Sequence, residues 1–378
     1  MSMPCPYCGF ANPRAWRACA RCGRSLSSTP LVSGRAYLSA GDATVVGAAP
    51  EPPTLDQPLD QPLDTQPPEE LEPPLIGQIE AARTIHSAIE TAFTHGRPTL
   101  VVLEGGRGSG KTRLLFYASE VASRLSATVR VLYGGCRAEG GDGYYAPFGR
   151  LLLERFGVTP SSSPAVVRAQ MTTVVTEALQ SSDAITIAET THLLGFISGV
   201  PFPDSPFLRE DDPAQLRTRA VAAFRRFVAG DARRQPLLLL LDNMHAAEPD
   251  AFELLAAALG AEGPLAVVMA GAPPLTEQAR ALGAAGGVAT GPIAPLAGPD
   301  VAAMMQVLLP TLIETPEPVV AALTHRSGGN PSALRELVFA LLEAGLFVRG
   351  PTGMAADLAK LESGLLPVTT ADAINARL

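Results

Sequence analysis

Lysine is almost missing from this chain. Of 29 basic residues among 378 positions, only Lys111 and Lys360 are lysines, which leaves 27 arginines. A chain that otherwise avoids lysine has one at position 111, where a compact ammonium is wanted rather than a planar fork. Aromatic residues make up only 5%, so the core must be mainly Ala, Leu and Val. No run of eighteen or more apolar residues occurs, so no membrane helix is expected. The opening "MSMPCPYCGF" has neither the charged n-region nor the apolar h-region of a signal peptide. The expected address is therefore the cytoplasm. A basic surplus is lacking too. The net charge of −8 and pI near 5.3 argue against broad binding of the whole chain to nucleic acid or anionic membrane. Cysteine is scarce, and four of the five lie in the first 22 residues. Disulfides are rare in the cytoplasm, so these four need another explanation.

What is present suffices for a sizeable core, since 47% of the chain is hydrophobic. The length allows two or three units. Residues 1–24 hold the four clustered cysteines and four arginines, with no acid. Residues 25–74 are Pro-rich and acidic and include the degenerate repeat "LDQPLDQPLDTQPP". Such a stretch cannot bury enough apolar surface to fold, so it reads as a disordered linker; a peptide ligand for a partner is the other reading. From residue 75 to 297, short apolar runs alternate with helical stretches. "TLVVLEG" (99–105), "VRVLYGG" (129–135), "LLLLLD" (237–242) and "LAVVMAG" (265–271) read as buried strands of a parallel sheet covered on both faces. From residue 298 to 378 strand signals stop. Two or three helices are expected there, one of them over "NPSALRELVFALLEAG" (330–345), as a small helical lid subdomain.

The four cysteines form two CxxC pairs, Cys5 with Cys8 and Cys19 with Cys22. Each pair can put two thiolates on one ion, and a glycine after each second cysteine eases the turn. Together they make a tetrahedral S4 cage that suits Zn²⁺, with iron as the other metal it could take. A redox pair or disulfides are the alternatives. A segment this small has almost no core, so the metal would supply its folding energy. Arg14, Arg17, Arg21, Arg24 and Trp16 could touch nucleic acid, but the thiolates offset much of that charge. A protein-docking ribbon is the preferred reading. The segment resembles the short zinc-ribbon domains at the N-termini of many bacterial proteins.

"GGRGSGKT", residues 105–112, fits G-x-x-x-x-G-K-[ST]. Gly105, Gly106, Gly108 and Gly110, with Ser109, let backbone N–H groups turn onto phosphate oxygens without Cβ clashes. Lys111 brings positive charge to the β- and γ-phosphates. Thr112 offers a hydroxyl to Mg²⁺ at a helix N-terminus, where the dipole favours anions. An apolar strand precedes the motif and an amphipathic helix follows it. Asp242 closes a second strand and is the candidate to hold Mg²⁺, often done through water. A solvated strand-end Asp or a helix cap is the structural alternative.

With these residues in place, the run from about 75 to 345 resembles the nucleotide-binding module of the STAND branch of the AAA+-related P-loop ATPases. The pieces come in order: "LIGQ" (75–78), the phosphate loop, "YYAPFGRLL" (144–152), an arginine-bearing helix, "QPLLLLLDNMHAAEPD" (235–250) and "SGGNPSALRELV" (327–338). The resemblance implies a five-stranded parallel sheet with a helical lid, binding ATP or ADP. It also implies that Pro331, in the Gly-Asn-Pro turn, packs near the adenosine. Asn330-Pro331 is equally a good N-cap and first helical residue.

Several positions depart from the family. Asn243 stands where a second acid usually follows Asp242; an amide can orient water but cannot take its proton. Glu248 is the candidate substitute acid, and a cap or dipole partner for the next helix is its structural alternative. Glu104 reads as structural. "AGAPP" (270–274) offers no polar sensor side chain, and Gln78 replaces the usual arginine. His245 is expected to face solvent in a loop. Cys136 is expected as a buried, unreactive thiol. The arginines of "RTRAVAAFRRF" (217–227) are expected mostly in solvent, although one could serve a neighbouring subunit as an arginine finger in a nucleotide-dependent homo-oligomer. In the family a winged helix and a sensor region follow the lid. Here Leu378 comes where that module would begin, so the output is expected elsewhere or the member is a shortened one. The residues therefore lead to a slowly hydrolysing, nucleotide-gated signalling switch using ATP or ADP, Mg²⁺ and Zn²⁺, with an unidentified protein partner docking through the ribbon and linker. A non-hydrolysing nucleotide-binding scaffold and a DNA-binding regulator acting through the ribbon are the alternatives.

Overall fold

The computed structural model describes residues 2–4, 11–13, 75–137, 145–158, 162–200, 202–209, 212–282, 288–350 and 353–362. Cys5, Cys8, Cys19, Cys22 and the linker at 25–74 lie outside the described residues. The chain divides into two units, Met1–Glu72 and Pro73–Leu378. In the first, strands β1 (Ser2–Pro4) and β2 (Ala11–Pro13) pair antiparallel, with Met3 opposite Asn12.

The second unit opens with α1 (Ile79–His95), then β3 (Thr99–Glu104), α2 (Lys111–Leu125) and β4 (Arg130–Gly135). Four helices follow: α3 (Ala146–Phe156), α4 (Pro164–Leu179), α5 (Ala184–Ser198) and α6 (Pro213–Arg234). Then come β5 (Leu237–Asp242), a 3-10 turn at Met244–Ala246, α7 (Pro249–Leu259), β6 (Leu265–Gly271), α8 (Leu275–Ala281) and β7 (Val288–Thr290). The five strands lie in the order β4-β5-β6-β3-β7, and every pairing is parallel. β5 and β6 are interior strands and wholly buried, which is why they read as unbroken apolar runs. Leu237, Leu239 and Leu241 join a core with Phe148, Phe224 and Leu254. Leu238 and Leu240 are as deeply buried on the opposite face, since successive side chains alternate. Each leucine contributes roughly 1.5–3 kcal/mol on burial.

Start signals act where the sequence puts them. Ser163, Asp183 and Asp212 each accept a backbone N–H from the first turn of α4, α5 and α6. At the edge of the sheet opposite Asp242, Asp231 of α6 is 1% exposed and holds two arginines. Arg155 donates from Nε to Oδ2 at 2.7 Å and from Nη2 to Oδ1 at 2.8 Å, and Arg130 also binds Oδ1. One carboxylate thus fastens α6 to α3 and to the start of β4.

A C-terminal helical group consists of α9 (Gly298–Leu308), α10 (Glu317–Ser327) and α11 (Pro331–Glu343), then a hairpin of β8 (Phe347–Gly350) and β9 (Gly353–Ala356), and the short α12 (Leu358–Glu362). Val301, Val319, Leu323, Leu334, Leu337 and Phe347 contribute to its own core. The hairpin corrects the expectation that strands end at residue 298. Its four-residue strands are too short to show alternation. β7, three residues long, was invisible for the same reason. No helix among the described residues is long and apolar enough to cross a membrane.

Candidate functional site

The carboxyl end of the sheet gathers the singled-out residues. β3 ends at Glu104, opposite Gly271 of β6, and the N–H of Gly105 donates to the Gly271 carbonyl at 3.1 Å. Glu104 accepts the Thr276 N–H of α8 at 2.7 Å, a structural role. The chain then turns through Gly108 (φ +78°) and Gly110 (φ +97°), left-handed conformations that favour glycine. Gly110 is the N-cap of α2, so the loop delivers Lys111 and Thr112 to a helix N-terminus. The Lys111 ammonium donates to the carbonyls of Gly105 at 2.8 Å and Gly106 at 2.6 Å. Burial lowers its pKa below the usual lysine range, against the raising pull of Asp242.

Asp242 is 6% exposed at the end of β5. Oδ2 accepts the Thr112 hydroxyl at 3.1 Å and the Tyr133 hydroxyl at 3.4 Å, and Oδ1 accepts the Asn243 N–H at 2.8 Å. Burial raises its pKa above the ordinary carboxylate range, outweighing those donors and the Lys111 charge. The fold therefore keeps this carboxyl and the Lys111 amine, both partly stripped of water, in each other's field. The Ser109 hydroxyl, within the loop, is buried without a hydrogen-bond partner. Tyr133 carried no signal in the sequence; β4 aligns it opposite Leu240, two residues before Asp242.

Asn243 sits at φ +56°, a conformation asparagine tolerates better than most residues. Its amide donates to the Cys136 carbonyl at 3.2 Å, and Cys136 itself is buried as expected. Glu248 is exposed at the N-cap position of α7, and its side chain makes no cap hydrogen bond. His245 departs from expectation. Its Nδ1 is buried rather than in solvent, and it lies against Gly271. Gln78 bonds both ways with residue 294, donating to the Ala294 carbonyl at 2.6 Å and accepting its N–H at 3.2 Å. On α6, Arg217 pairs with Asp250 and Arg219 with Glu189, while Arg225 and Arg226 line an open groove of about 770 Å³ beside α7.

The C-terminal helical group reaches the loop through the start of α11. Asn330 caps that helix, accepting the Ser332 and Ala333 N–H groups. Its amide also donates to the Arg107 carbonyl at 2.8 Å, and the Ser332 N–H donates to the Gly108 carbonyl at 3.2 Å. A Cβ on Gly108 would stand 2.7 Å from the Asn330 side-chain oxygen, so glycine is needed for this approach. Pro331 lies beside Gly110. The sequence marked Asn330 as a cap, but nothing local foretells a partner 223 positions away.

Residues 74–268, just over half of the chain, match the family described as AAA ATPase domain. The chain belongs to that family. Membership in the AAA ATPase domain family implies nucleotide binding, usually with Mg²⁺. Among solved structures, the chain is similar to Cdc6p from Pyrobaculum aerophilum, with 13% identity and a TM-score of 0.41 over 74% of this chain and 65% of that one. It is also similar to the Orc1 protein of Aeropyrum pernix in complex with DNA, with 16% identity and a TM-score of 0.40 over 74% and 63% of the two chains. The chain thus spans less than two thirds of either protein. No curated protein matches it.

Proposed function

We propose that this AAA ATPase domain is a nucleotide-gated switch of the STAND class that hydrolyses ATP slowly. The observation that carries the reading is the pair of bonds from Asn330 and Ser332 to the Arg107 and Gly108 carbonyls. The lid rests on the backbone of the phosphate loop itself, so a ligand that draws on the loop also acts on the lid. The loop suits such a ligand, with its two left-handed glycines, a buried unpartnered Ser109 hydroxyl and a lysine at a helix N-terminus. Bound ATP·Mg²⁺ supplies a phosphoanhydride and a divalent charge. Lys111 would give up loop carbonyls to hold the terminal phosphates. Thr112 and Asp242, already in hydrogen-bond contact, would hold the metal, with Asp242 through water. Pro331, beside Gly110, would pack near the adenosine. ATP and ADP differ in what they offer the loop, and that difference biases the two lid positions.

Asn243 favours a second reading, a scaffold that binds nucleotide without cutting it. Its amide is committed to the Cys136 carbonyl and has no basic atom for a proton. Glu248, exposed at the start of α7, is the acid proposed to activate water. Steady-state ATP turnover with Mg²⁺, with Lys111→Ala as the blank, separates the two. The switch reading expects turnover above the blank but below about 1 s⁻¹, the low end for enzymes. Turnover equal to the blank, with ATP bound, gives the scaffold.

The CxxC spacing supports a zinc ribbon at residues 1–24 that docks a protein partner, tethered by the acidic linker at 25–74. Metal analysis of the purified chain should find one zinc per chain. Its loss after Cys5→Ser is expected, and a metal-free chain would sink the assignment.

A further inference from the structure

Helix α6 carries two stripes. Ala220, Ala223, Phe224 and Phe227 face the core. On the other side Thr218, Ala222, Arg225, Ala229 and Arg233 recur at spacings of three and four, the period of one helix face. A solvated face is usually polar throughout; here alanines separate the arginines. This stripe forms one wall of the open groove of about 770 Å³. The other wall comes from α7 and the turn after it, through Glu253, Ala256, Ala257 and Glu262. Val221, Ala229, Ala256 and Ala257 are half-buried, so both helices give the groove an apolar floor.

The two walls bear opposite charge. Arg226 takes no part, because it donates to the Thr190 hydroxyl of α5 at 3.1 Å. Arg225 and Arg233 on one wall, and Glu253 and Glu262 on the other, are exposed. Among the described residues, none of these four side chains has an ion pair or a hydrogen bond. Helix packing fixes their order along the groove. Near the start of both helices Arg217 lies 3.4 Å from Asp250. Further down, a Cβ on Gly260 would stand 3.7 Å from the Arg225 Cζ, and one on Gly263 would stand 2.8 Å from the Ala232 Cβ. α6 and α7 therefore run side by side in one direction. The charges alternate down the groove as Glu253, Arg225, Glu262, Arg233.

We propose that the groove between α6 and α7 is the interface of a two-fold dimer, filled by the same face of a second copy of this chain. Self-complementary charge decides the occupant. A two-fold axis running along the groove lays α6 of one copy over α7 of the other. Arg225 of each copy then falls between Glu253 and Glu262 of the other, and Glu262 falls between Arg225 and Arg233. The small apolar side chains between them let the helices pack closely. A wholly acidic or wholly basic partner would suit one wall and oppose the other. Neither the phosphate loop nor Asp242 lines the groove, so the dimer forms without nucleotide.

Sedimentation velocity on the full chain, with no nucleotide added, tests it. Wild type should sediment as a dimer at roughly 50 μM, well above a micromolar Kd. Arg225→Glu with Arg233→Glu sets acid against acid on both sides of the axis, and Glu253→Arg with Glu262→Arg sets base against base. Each double variant should weaken the dimer at least roughly 30-fold, because like charges facing each other across an interface are strongly disfavoured. Mixed one to one, the two double variants should restore a dimer, since each then meets the opposite sign. That rescue also shows that both are folded. A wild-type chain that stays monomeric, a dimer that both double variants leave intact, or no rescue on mixing overturns the proposal. A dimer that added salt tightens overturns it too, since exposed ion pairs are screened.

Discussion

Replacing Lys111 with alanine should weaken Mg·ATP binding by at least roughly 30-fold, the low end of the about 2–5 kcal/mol lost when one partner of a buried, hydrogen-bonded charge pair is truncated. The ammonium already donates to two loop carbonyls and lies in the field of Asp242, and burial has lowered its pKa. Phosphate would restore what that burial removes, so the charge is worth more when nucleotide is bound than when it is not. Lys111→Arg should fail nearly as badly, because a planar fork does not fit a loop shaped around a compact ammonium. Equilibrium titration measures both variants. Affinity within about threefold of wild type in Lys111→Ala would show that the loop is not the binding site.

Asp231→Ala should destabilise the fold by about 3–5 kcal/mol, because it leaves the buried Arg155 guanidinium and the half-buried Arg130 without their anion. Arg155 grips both oxygens and its side chain is only 9% exposed, so water cannot take the place of the carboxylate. Thermal unfolding should shift down by roughly 10 °C. Acid stability carries a second signature. Burial pushes the Asp231 carboxyl up, but Arg155 and then Arg130 outweigh it and hold the pKa below the ordinary range. The unfolded chain therefore binds this proton first as pH falls. The stabilisation is complete above the ordinary carboxylate range and is lost as pH falls through the lowered value. Asp231→Ala should flatten that part of the pH–stability curve. An unfolding temperature within about 2 °C of wild type would mean that the network is ornamental.

The two residues show what the sequence did and did not make legible. Lys111 could be singled out as a candidate directly, because a glycine-rich loop is one contiguous string and local geometry dictates its glycines. Asp242 followed from a five-leucine run that only an interior parallel strand explains. Asn330 and Pro331 were legible as a helix start, which is also local. Asp231 was not legible, since its partners lie 76 and 101 positions away and neither spacing leaves a pattern. The same holds for Tyr133 on Asp242 and for Asn330 on Arg107. His245, expected in solvent, is half-buried with its Nδ1 covered, because it lies close to Gly271 on another strand, which nothing local foretells. Periodicity reports which residues are buried; it does not say which strand end they cover.

In the proposed switch the phosphate loop and the lid move as one. Amide hydrogen exchange over residues 327–334, with ATP·Mg²⁺, with ADP and without nucleotide, tests it most directly. Protection at this start of α11 should differ between ATP and ADP, and Lys111→Ala should abolish the difference. Tight nucleotide binding with identical exchange in all three states would contradict the switch and leave a scaffold.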